Sequence, residues 1–208
     1  MPSTREIRTA QGFIGGHWCR HHRRMSDAEV CVRRYDASDR EAAVLLATRL
    51  ETGVAHWRDA DMVRRAVAGW VETSLAHAAA DDREVYVADV SGDVVGLVTV
   101  AERRHFTGVV DAYVGELVVK ATHERRGVGT LLMDAAEEWA RHRGLRHLTL
   151  ETGAANGPAR AFYARCGYQE EDVRLTKPLD RSSPPRGATG HEASAGHVGG
   201  SGTPTVVG

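Results

Sequence analysis

The sequence predicts a single mixed α/β domain, and three observations support this fold class. The 208 residues are 42% hydrophobic and 26% charged, which is typical of a globular protein with a core of useful size. Between residues 29 and 180, short runs with the alternation of a strand are interspersed with longer runs at helical spacing. The segments outside these limits show neither pattern. We therefore expect one domain over residues 29–180 with the element order βααβββαβαβ.

The domain is predicted to begin with a strand and two helices. The strand contains Val30 and Val32. Ser38 and Glu41 have the spacing of a capping box, which predicts a helix that ends near Gly53. The second helix covers about residues 59–80, where apolar residues recur at helical spacing: Val63, Val67, Trp70, Val71 and Leu75.

The remaining elements follow from alternation, helical spacing and turn residues. Ser91-Gly92-Asp93 is a hairpin signal between two alternating runs, and Gly144 is suited to end a helix. The predicted elements are strands over 84–90, 94–101 and 112–120, a helix over 130–143, a strand over 145–152, a helix over 158–165 and a final strand within 168–179.

The two ends of the chain are expected to lie outside the fold. Residues 1–28 form a basic segment without periodicity, so we expect a disordered leader, with Met25 as a candidate natural start. Residues 181–208 are rich in Gly, Ser, Pro and Thr, which cannot fill a core, so we expect a disordered tail. Because the leader is basic, the domain is more acidic than the whole chain, which favours a cationic partner.

Composition argues against several functions. With 27 Lys+Arg against 28 Asp+Glu, the chain has no positive excess for nucleic acid or a membrane surface. No apolar stretch approaches the about 20 residues that a spanning helix needs. The three widely spaced cysteines are typical of reduced thiols in a cytoplasm. The His and Cys residues between His17 and His22 lack a second ligand pair, so we predict no metal site.

The most informative segment is the turn before the predicted helix over 130–143. Residues 124–129 read Glu-Arg-Arg-Gly-Val-Gly. A strand, a glycine turn and a helix N-terminus leave backbone N–H groups that suit a phosphate, and the two arginines add positive charge. A Walker P-loop string is absent, and a Rossmann fingerprint would need a third glycine where Leu132 stands. The turn therefore predicts a phosphate or pyrophosphate site.

Two motifs together resemble the GNAT superfamily of acetyl-CoA-dependent N-acetyltransferases. Residues 124–129 are similar to its [Gln/Arg]-x-x-Gly-x-[Gly/Ala] loop, and residues 156–168 to its downstream Asn and Ala-x-x-[Phe/Leu]-Tyr-x-x-x-Gly-[Phe/Tyr] element. The resemblance implies a mixed, mostly antiparallel sheet with helices on both faces and splayed central strands. Glu124 departs from the family pattern, since a carboxylate beside a pyrophosphate is unfavourable, and we expect Arg125 or Arg126 to offset it.

The resemblance also implies the residues that bind acetyl-CoA. The backbone at Leu117, Val118 and Val119 would pair with the pantetheine arm and the thioester, where an N–H could stabilise an oxyanion. Asn156 matches a position that contacts the same arm, and it is equally suited to be a helix N-cap before Pro158. The expected pyrophosphate cradle consists of Arg125, Arg126, Gly127, Val128, Gly129 and Thr130.

Two residues are the predicted catalytic groups. Tyr163 matches the family's frequent general acid, which binds and protonates the departing CoA thiolate; the alternative is a core aromatic residue. Glu116 is the one acidic residue in an apolar strand segment, so we expect it to act as the base or to relay the proton through water. A buried ion pair or an anchor for the substrate ammonium are alternatives for Glu116, and Asp111 and Glu151 are weaker candidate bases.

The resemblance therefore implies an N-acetyltransferase that acts without a metal. It would transfer the acetyl group of acetyl-CoA directly to a primary amine of a small molecule or peptide in a ternary complex. Aminoglycosides, polyamines, peptide or protein N-termini and small metabolites are open as substrates, and the acidic domain favours a cationic amine. A homodimer is compatible with the family. A non-catalytic acyl-CoA-binding regulatory module is the alternative hypothesis, and dinucleotide binding is a third.

Overall fold

The computed structural model describes residues 17–19 and 29–179. Over these residues the strands are β1 His17–Cys19, β2 Val30–Arg34, β3 Arg83–Val90, β4 Asp93–Arg104, β5 Val110–Val119 and β6 Leu148–Leu150. The helices are α1 Arg40–Ala47, α2 Ala60–Ala76, α3 Val128–His142 and α4 Gly157–Arg165, with short 3-10 turns at Ala37–Asp39, Thr48–Glu51 and Ala121–His123. Strand β1 lies within the segment expected to be a disordered leader, whereas the rest of that leader, the candidate start at Met25 and the tail lie outside the described residues.

The six strands form one sheet in the order β1-β2-β3-β4-β5-β6. Every neighbouring pair is antiparallel except β5 and β6, which are parallel. The prediction of a mixed, mostly antiparallel sheet is therefore confirmed. Strand β1 pairs with β2 and was not predicted, because its three residues carry no alternation that could be recognised.

Helices cover both faces of the sheet, as predicted. Helices α1 and α2 pack on one face, termed the α2 face, around Val67, Val71 and Leu97. Helix α3 packs on the opposite face, termed the α3 face, where Leu132 and Met133 are almost completely buried. Apolar side chains on both faces explain why β4 reads as a nearly continuous hydrophobic run rather than an alternating one.

Strand β5 contains a bulge in the middle of the sheet. Val98 pairs with Leu117 and Val100 pairs with Val114, so Thr99 of β4 lies opposite two residues, Gly115 and Glu116. Val114 and Leu117 belong to the α3 face. Strict alternation from Val114 would place Glu116 on that same face, whereas the extra residue turns it toward α2.

The central strands are splayed. Strand β6 pairs with β5 only from Ala112 to Val114, where β6 ends at Leu150, while β5 continues to Val119. Among the described residues no strand lines that edge of β5 beyond Val114. We call residues 115–119 along this side the open edge, and it confirms the predicted splay.

Two local predictions were wrong. The first capping box uses Asp36 and Asp39 rather than Ser38 and Glu41, because a 3-10 turn precedes α1 and carries the cap. The predicted final strand is absent, since residues 168–179 are neither helix nor strand. Val173 and Leu175 do alternate with polar residues, but they are 76% and 88% exposed. A strand requires a partner for its backbone groups, and alternation within one segment does not supply one.

The chain divides by its internal contacts after Gln169, and the second unit is described only over residues 170–179. In the described ranges, no helix combines the length and apolarity needed to cross a membrane.

Candidate functional site

The glycine turn leads directly into α3. Gly127 is the N-cap of this helix with φ of +85°, a left-handed conformation that glycine adopts without the strain a Cβ would add. The Leu131 N–H bonds to the Gly127 carbonyl at 3.1 Å. The three preceding amides, of Val128, Gly129 and Thr130, therefore have no acceptor within the helix. These amides point out of the helix end, where an anion is favoured.

The start of α3, the end of β5 and α4 meet at Gly129. A Cβ built on Gly129 would lie 3.4 Å from Phe162 Cζ and 3.9 Å from Val119 Cγ2. A larger side chain here would fill the space between the three elements beside the free amides. The narrow glycine-lined space, the amides and the exposed Arg125 and Arg126 fit a pyrophosphate-bearing cosubstrate.

The carboxylate of Glu124 is paired with Arg49. The Arg49 guanidinium contacts Glu124 through Nη2 and donates through Nε to the Val119 carbonyl at 2.9 Å. The expected offset by Arg125 or Arg126 is thus replaced by an arginine from the 3-10 turn after α1. No local pattern predicts this contact, because the two partners lie 75 positions apart in the chain.

Two of the three predicted β5 residues present backbone groups to the open edge. The Lys120 N–H donates to the Val95 carbonyl at 2.7 Å, and Val118 pairs with Leu97, so these residues face β4. Because backbone direction alternates along a strand, Leu117 and Val119 face the open edge. The Val118 backbone instead faces β4, where it pairs with Leu97, and its side chain is buried on the α2 face.

Glu116 is a buried carboxyl group, 6% exposed, on the α2 face. Its Oε2 accepts hydrogen bonds from Ser74 Oγ at 3.0 Å and from Thr99 Oγ1, while its backbone N–H donates to Thr99 Oγ1 at 3.0 Å. Among the described residues no Lys, Arg or His pairs with it, so the buried ion pair considered above is not found. Ser74 and Thr99 orient the carboxyl group, and sequence reasoning missed both because they come from other elements.

The weaker candidate bases are engaged elsewhere. Asp111 is buried and lies 3.1 Å from His147 Nδ1. Glu151 is paired with Arg103, its Oε1 3.3 Å from Nη1.

A pocket of about 200 Å³ lies on the α2 face of the sheet beside Glu116. Three of its lining residues are Gly115, which precedes Glu116, and the two hydroxyl donors to its carboxyl group, Ser74 and Thr99. The other lining residues are Arg83, Glu84, Val85, Val100, Ala101 and Tyr113.

Tyr163 lies on α4 among aromatic rings. Its ring centroid is 5.3 Å from that of Phe162 and 5.9 Å from that of Tyr168. Burial raises the pKa of Tyr163 to about 12, so the phenol keeps its proton throughout the physiological range. Burial also raises the pKa of the neighbouring Cys166 thiol, which disfavours a nucleophilic thiolate there.

Asn156 is the N-cap of α4. Its Oδ1 accepts from the Ala159 N–H at 3.3 Å, and its Nδ2 donates to the Thr52 carbonyl at 3.3 Å. The N-cap alternative is therefore what the structure contains, while contact with a cosubstrate stays a prediction. The second bond ties α4 to the loop before α2, and Gly53 approaches so closely that a Cβ there would collide with Asn156.

Residues 49–168 match the sequence model of the Acetyltransferase (GNAT) family. The chain is 33% identical over 88 residues to a streptothricin acetyltransferase of Escherichia coli, a match that covers 42% of this chain and 48% of that protein. The matched segments span about half the length of the curated relatives.

Solved structures share the fold at low identity. A GCN5-related N-acetyltransferase from Ralstonia eutropha superposes with a TM-score of 0.57 at 20% identity, covering 72% of this chain and 98% of that one. AAC(6')-Iy in complex with a bisubstrate analogue, CoA-S-monomethyl-acetylneamine, gives 0.54 at 20% identity and covers 73% and 99%.

Proposed function

Because the chain belongs to the Acetyltransferase (GNAT) family, we propose that it transfers the acetyl group of acetyl-CoA directly to a primary amine in a ternary complex. One observation carries the proposal beyond family membership. Glu116 is a buried carboxyl group without a cation among the described residues, and it adjoins both the open edge of β5 and a pocket. Such a group is costly in a sheet unless a substrate ammonium or its proton is to be received.

Binding of acetyl-CoA is assigned to the turn and the open edge. The Val128, Gly129 and Thr130 amides would hold the pyrophosphate, with Arg125 and Arg126 adding charge. The Leu117 backbone groups and the Val119 N–H face the open edge and would orient the pantetheine arm, whereas the Val119 carbonyl already accepts from Arg49. When bound, acetyl-CoA supplies an activated acetyl thioester. Asn156 remains a candidate contact through its remaining hydrogen-bonding capacity.

Removal of the substrate proton is assigned to Glu116, and stabilisation of the leaving group is assigned to Tyr163. Glu116, oriented by Ser74 and Thr99, would accept the proton of the substrate ammonium, directly or through water. Tyr163 would donate a hydrogen bond to the leaving sulfur. Since the pKa of Tyr163 is about 12 and that of an ordinary thiol is about 8.5, full proton transfer from the phenol is uphill. Stabilising the thiolate by a short hydrogen bond is the more favourable role.

The alternative, a non-catalytic acyl-CoA-binding module, would keep the turn and need neither Glu116 nor Tyr163. The cytoplasmic location expected from the cysteines stays a prediction.

The test is to incubate the full chain with acetyl-CoA and a panel of primary amines while the release of CoA thiol is measured. Cosubstrate binding is measured separately by calorimetry with CoA. We expect turnover with at least one amine. Tight CoA binding without turnover on any amine would favour the regulatory module.

A further inference from the structure

We propose that the acceptor is a small primary amine with a compact apolar body, such as a single ring on a short chain. This inference rests on the proposed function, since it names the substrate class of the same site. The nitrogen end would lie at Glu116 and the apolar body would fill the pocket on the α2 face.

The size of the pocket limits the acceptor. Pockets for drug-sized ligands are roughly 300–1,000 Å³, and an engineered cavity of about 150 Å³ holds one benzene ring. The pocket here is about 200 Å³. It therefore accommodates one six-membered ring with a short side chain. The pocket is half open, so an aminoglycoside or a folded polyamine would leave most of its body outside.

The lining favours an apolar body. Val85, Ala101 and the ring of Tyr113 contribute carbon surface, and Gly115 exposes backbone without adding a side chain. Arg103 stacks on the Tyr113 ring with its guanidinium carbon 4.3 Å from the centroid, which restrains the ring. A polyhydroxylated acceptor would bury hydroxyl and ammonium groups here with few hydrogen-bond partners, which is unfavourable.

The charges around the pocket leave one attachment point for an ammonium. The two charged lining residues are already paired, Arg83 with Asp82 at 3.2 Å and Glu84 with Arg34 at 3.0 Å. Glu116 is the carboxyl group beside the pocket without a cation among the described residues. An amine held there would lie beside the open edge at Leu117, and its apolar body would extend toward Ala101 and Tyr113.

The experiment compares amines that differ in body and share the primary amino group: ethylamine, butylamine, phenethylamine, spermidine and neamine. The readout is kcat/KM for CoA release. Burying an extra methylene is worth about fourfold, and burying a phenyl ring about 30-fold. We expect phenethylamine to exceed ethylamine by about 30-fold and to exceed neamine and spermidine. A preference for neamine or spermidine would overturn the inference while acetyl transfer itself would stand.

A pocket-filling variant tests the location. Ala101 shares its face of β4 with Thr99 and is only partly buried, so Ala101→Leu adds volume to the pocket without entering the core. We expect the ratio of kcat/KM for phenethylamine over ethylamine to fall at least tenfold. Ala76→Leu, the same substitution at an exposed position of α2, is the matched control and should leave the ratio unchanged. An unchanged ratio in Ala101→Leu would overturn the placement.

A binding measurement separates the two proposals. If no amine is acetylated, the proposed function fails, and calorimetry with phenethylamine in the presence of CoA decides the substrate class by itself. Binding to the wild type that is lost in Ala101→Leu supports the inference. Absence of phenethylamine binding overturns it.

Discussion

At the residue scale, Glu116 joins three elements at one carboxyl group. Ser74 comes from α2, Thr99 from β4, and Glu116 itself from the bulge in β5. Two donors on the same oxygen restrain the carboxyl group, which is the preorganisation that a general base requires. The other oxygen, Oε1, is then the one available to an incoming amine or water.

We expect Glu116→Gln to lower kcat about 100-fold, because the amide keeps the size of the side chain and cannot accept the ammonium proton. The KM for the amine should rise as well, because the same carboxyl group is the proposed attachment point of the substrate ammonium. Steady-state kinetics at several pH values measures both constants. A higher KM with unchanged kcat would instead assign Glu116 as an anchor for the ammonium.

The role of the Tyr163 hydroxyl on α4 can also be tested by a substitution that keeps the size of the side chain. We expect Tyr163→Phe to lower kcat by about 100-fold while the Kd for acetyl-CoA changes little, because only the hydroxyl is removed. Tyr168→Phe removes a hydroxyl from the adjacent ring and serves as the matched control. Equal rates for wild type and Tyr163→Phe would restrict Tyr163 to a packing role.

Arg49 neutralises an acid that stands beside the proposed pyrophosphate cradle. We expect Arg49→Ala to weaken CoA binding about tenfold, since Glu124 would then repel the phosphates and the Val119 carbonyl would lose its donor. Adding Glu124→Gln should recover most of the loss. Calorimetry with CoA on the four proteins of this cycle measures the coupling, and a double variant as weak as Arg49→Ala would refute it.

At the element scale, the parts predicted well are those encoded by neighbouring residues. Helix α3 was expected over 130–143 and spans Val128–His142, because apolar spacing and the glycine turn are both local signals. The bulge, the early end of β6 and the missing final strand were not predictable in this way. Each depends on which strands pair, and pairing is decided between segments far apart in the chain.

The residues of the candidate site also fall into two groups, those encoded by local motifs and those placed by contacts between distant segments. Gly127, Gly129 and Tyr163 could be found because their motifs are contiguous, and the resemblance assigned them roles. Ser74 and Arg49 could not, since each acts on a partner 42 or 75 positions away. Sequence reasoning therefore located the loop and the candidate catalytic groups and missed the side chains that orient them.

The glycine turn before α3 leads to a prediction about stability and CoA binding. Gly127 and Gly92 have nearly equal positive φ angles, +85° and +88°. Alanine at either position should lower the free energy of unfolding by about 1–2 kcal/mol. Only Gly127→Ala should also weaken CoA binding, because it distorts the amides at the start of α3. Urea unfolding and calorimetry on both variants measure this, and equal CoA affinities would argue against the cradle.

At the scale of the whole molecule, a charge cluster links the first helical turn to strands β2 and β3 of the sheet. Arg33 on β2 contacts Asp39 at 2.6 Å and Asp89 on β3 at 3.0 Å. Asp39 is 6% exposed and also accepts the Asp36 N–H at 2.9 Å. The cluster fixes α1 against the strands on which the α2 face is built.

This cluster makes stability depend on pH. The hydrogen bond from Arg33 holds the pKa of Asp39 below its ordinary value of 3.8. A depressed folded pKa contributes stability above the unfolded pKa, and that stability is lost as pH falls below about 4. We expect Asp39→Asn to lower the free energy of unfolding at pH 7 by about 1–3 kcal/mol and by less at pH 3.

Urea unfolding at the two pH values measures the difference. Asp61→Asn, which breaks an exposed pair with Arg64, is the control and should change stability by less than about 0.5 kcal/mol. If Asp39→Asn lowers the free energy of unfolding equally at pH 7 and pH 3, the pH dependence does not come from Asp39.

The bulge in β5 also restricts how the gene can change in length. From Val114 to Val119 each residue lies on a defined face or edge of the sheet, so an insertion, or any deletion other than that of Gly115, would turn Glu116, Leu117 or Val119 to the wrong side. Gly115 is the sole residue of this stretch whose loss would preserve the alternation. The turn over residues 105–109 contains no site residue, so a change in its length would not turn one to the wrong side of the sheet. Natural relatives with the same chemistry should therefore differ in length at that turn and keep the residue count of β5 from Glu116 to Val119.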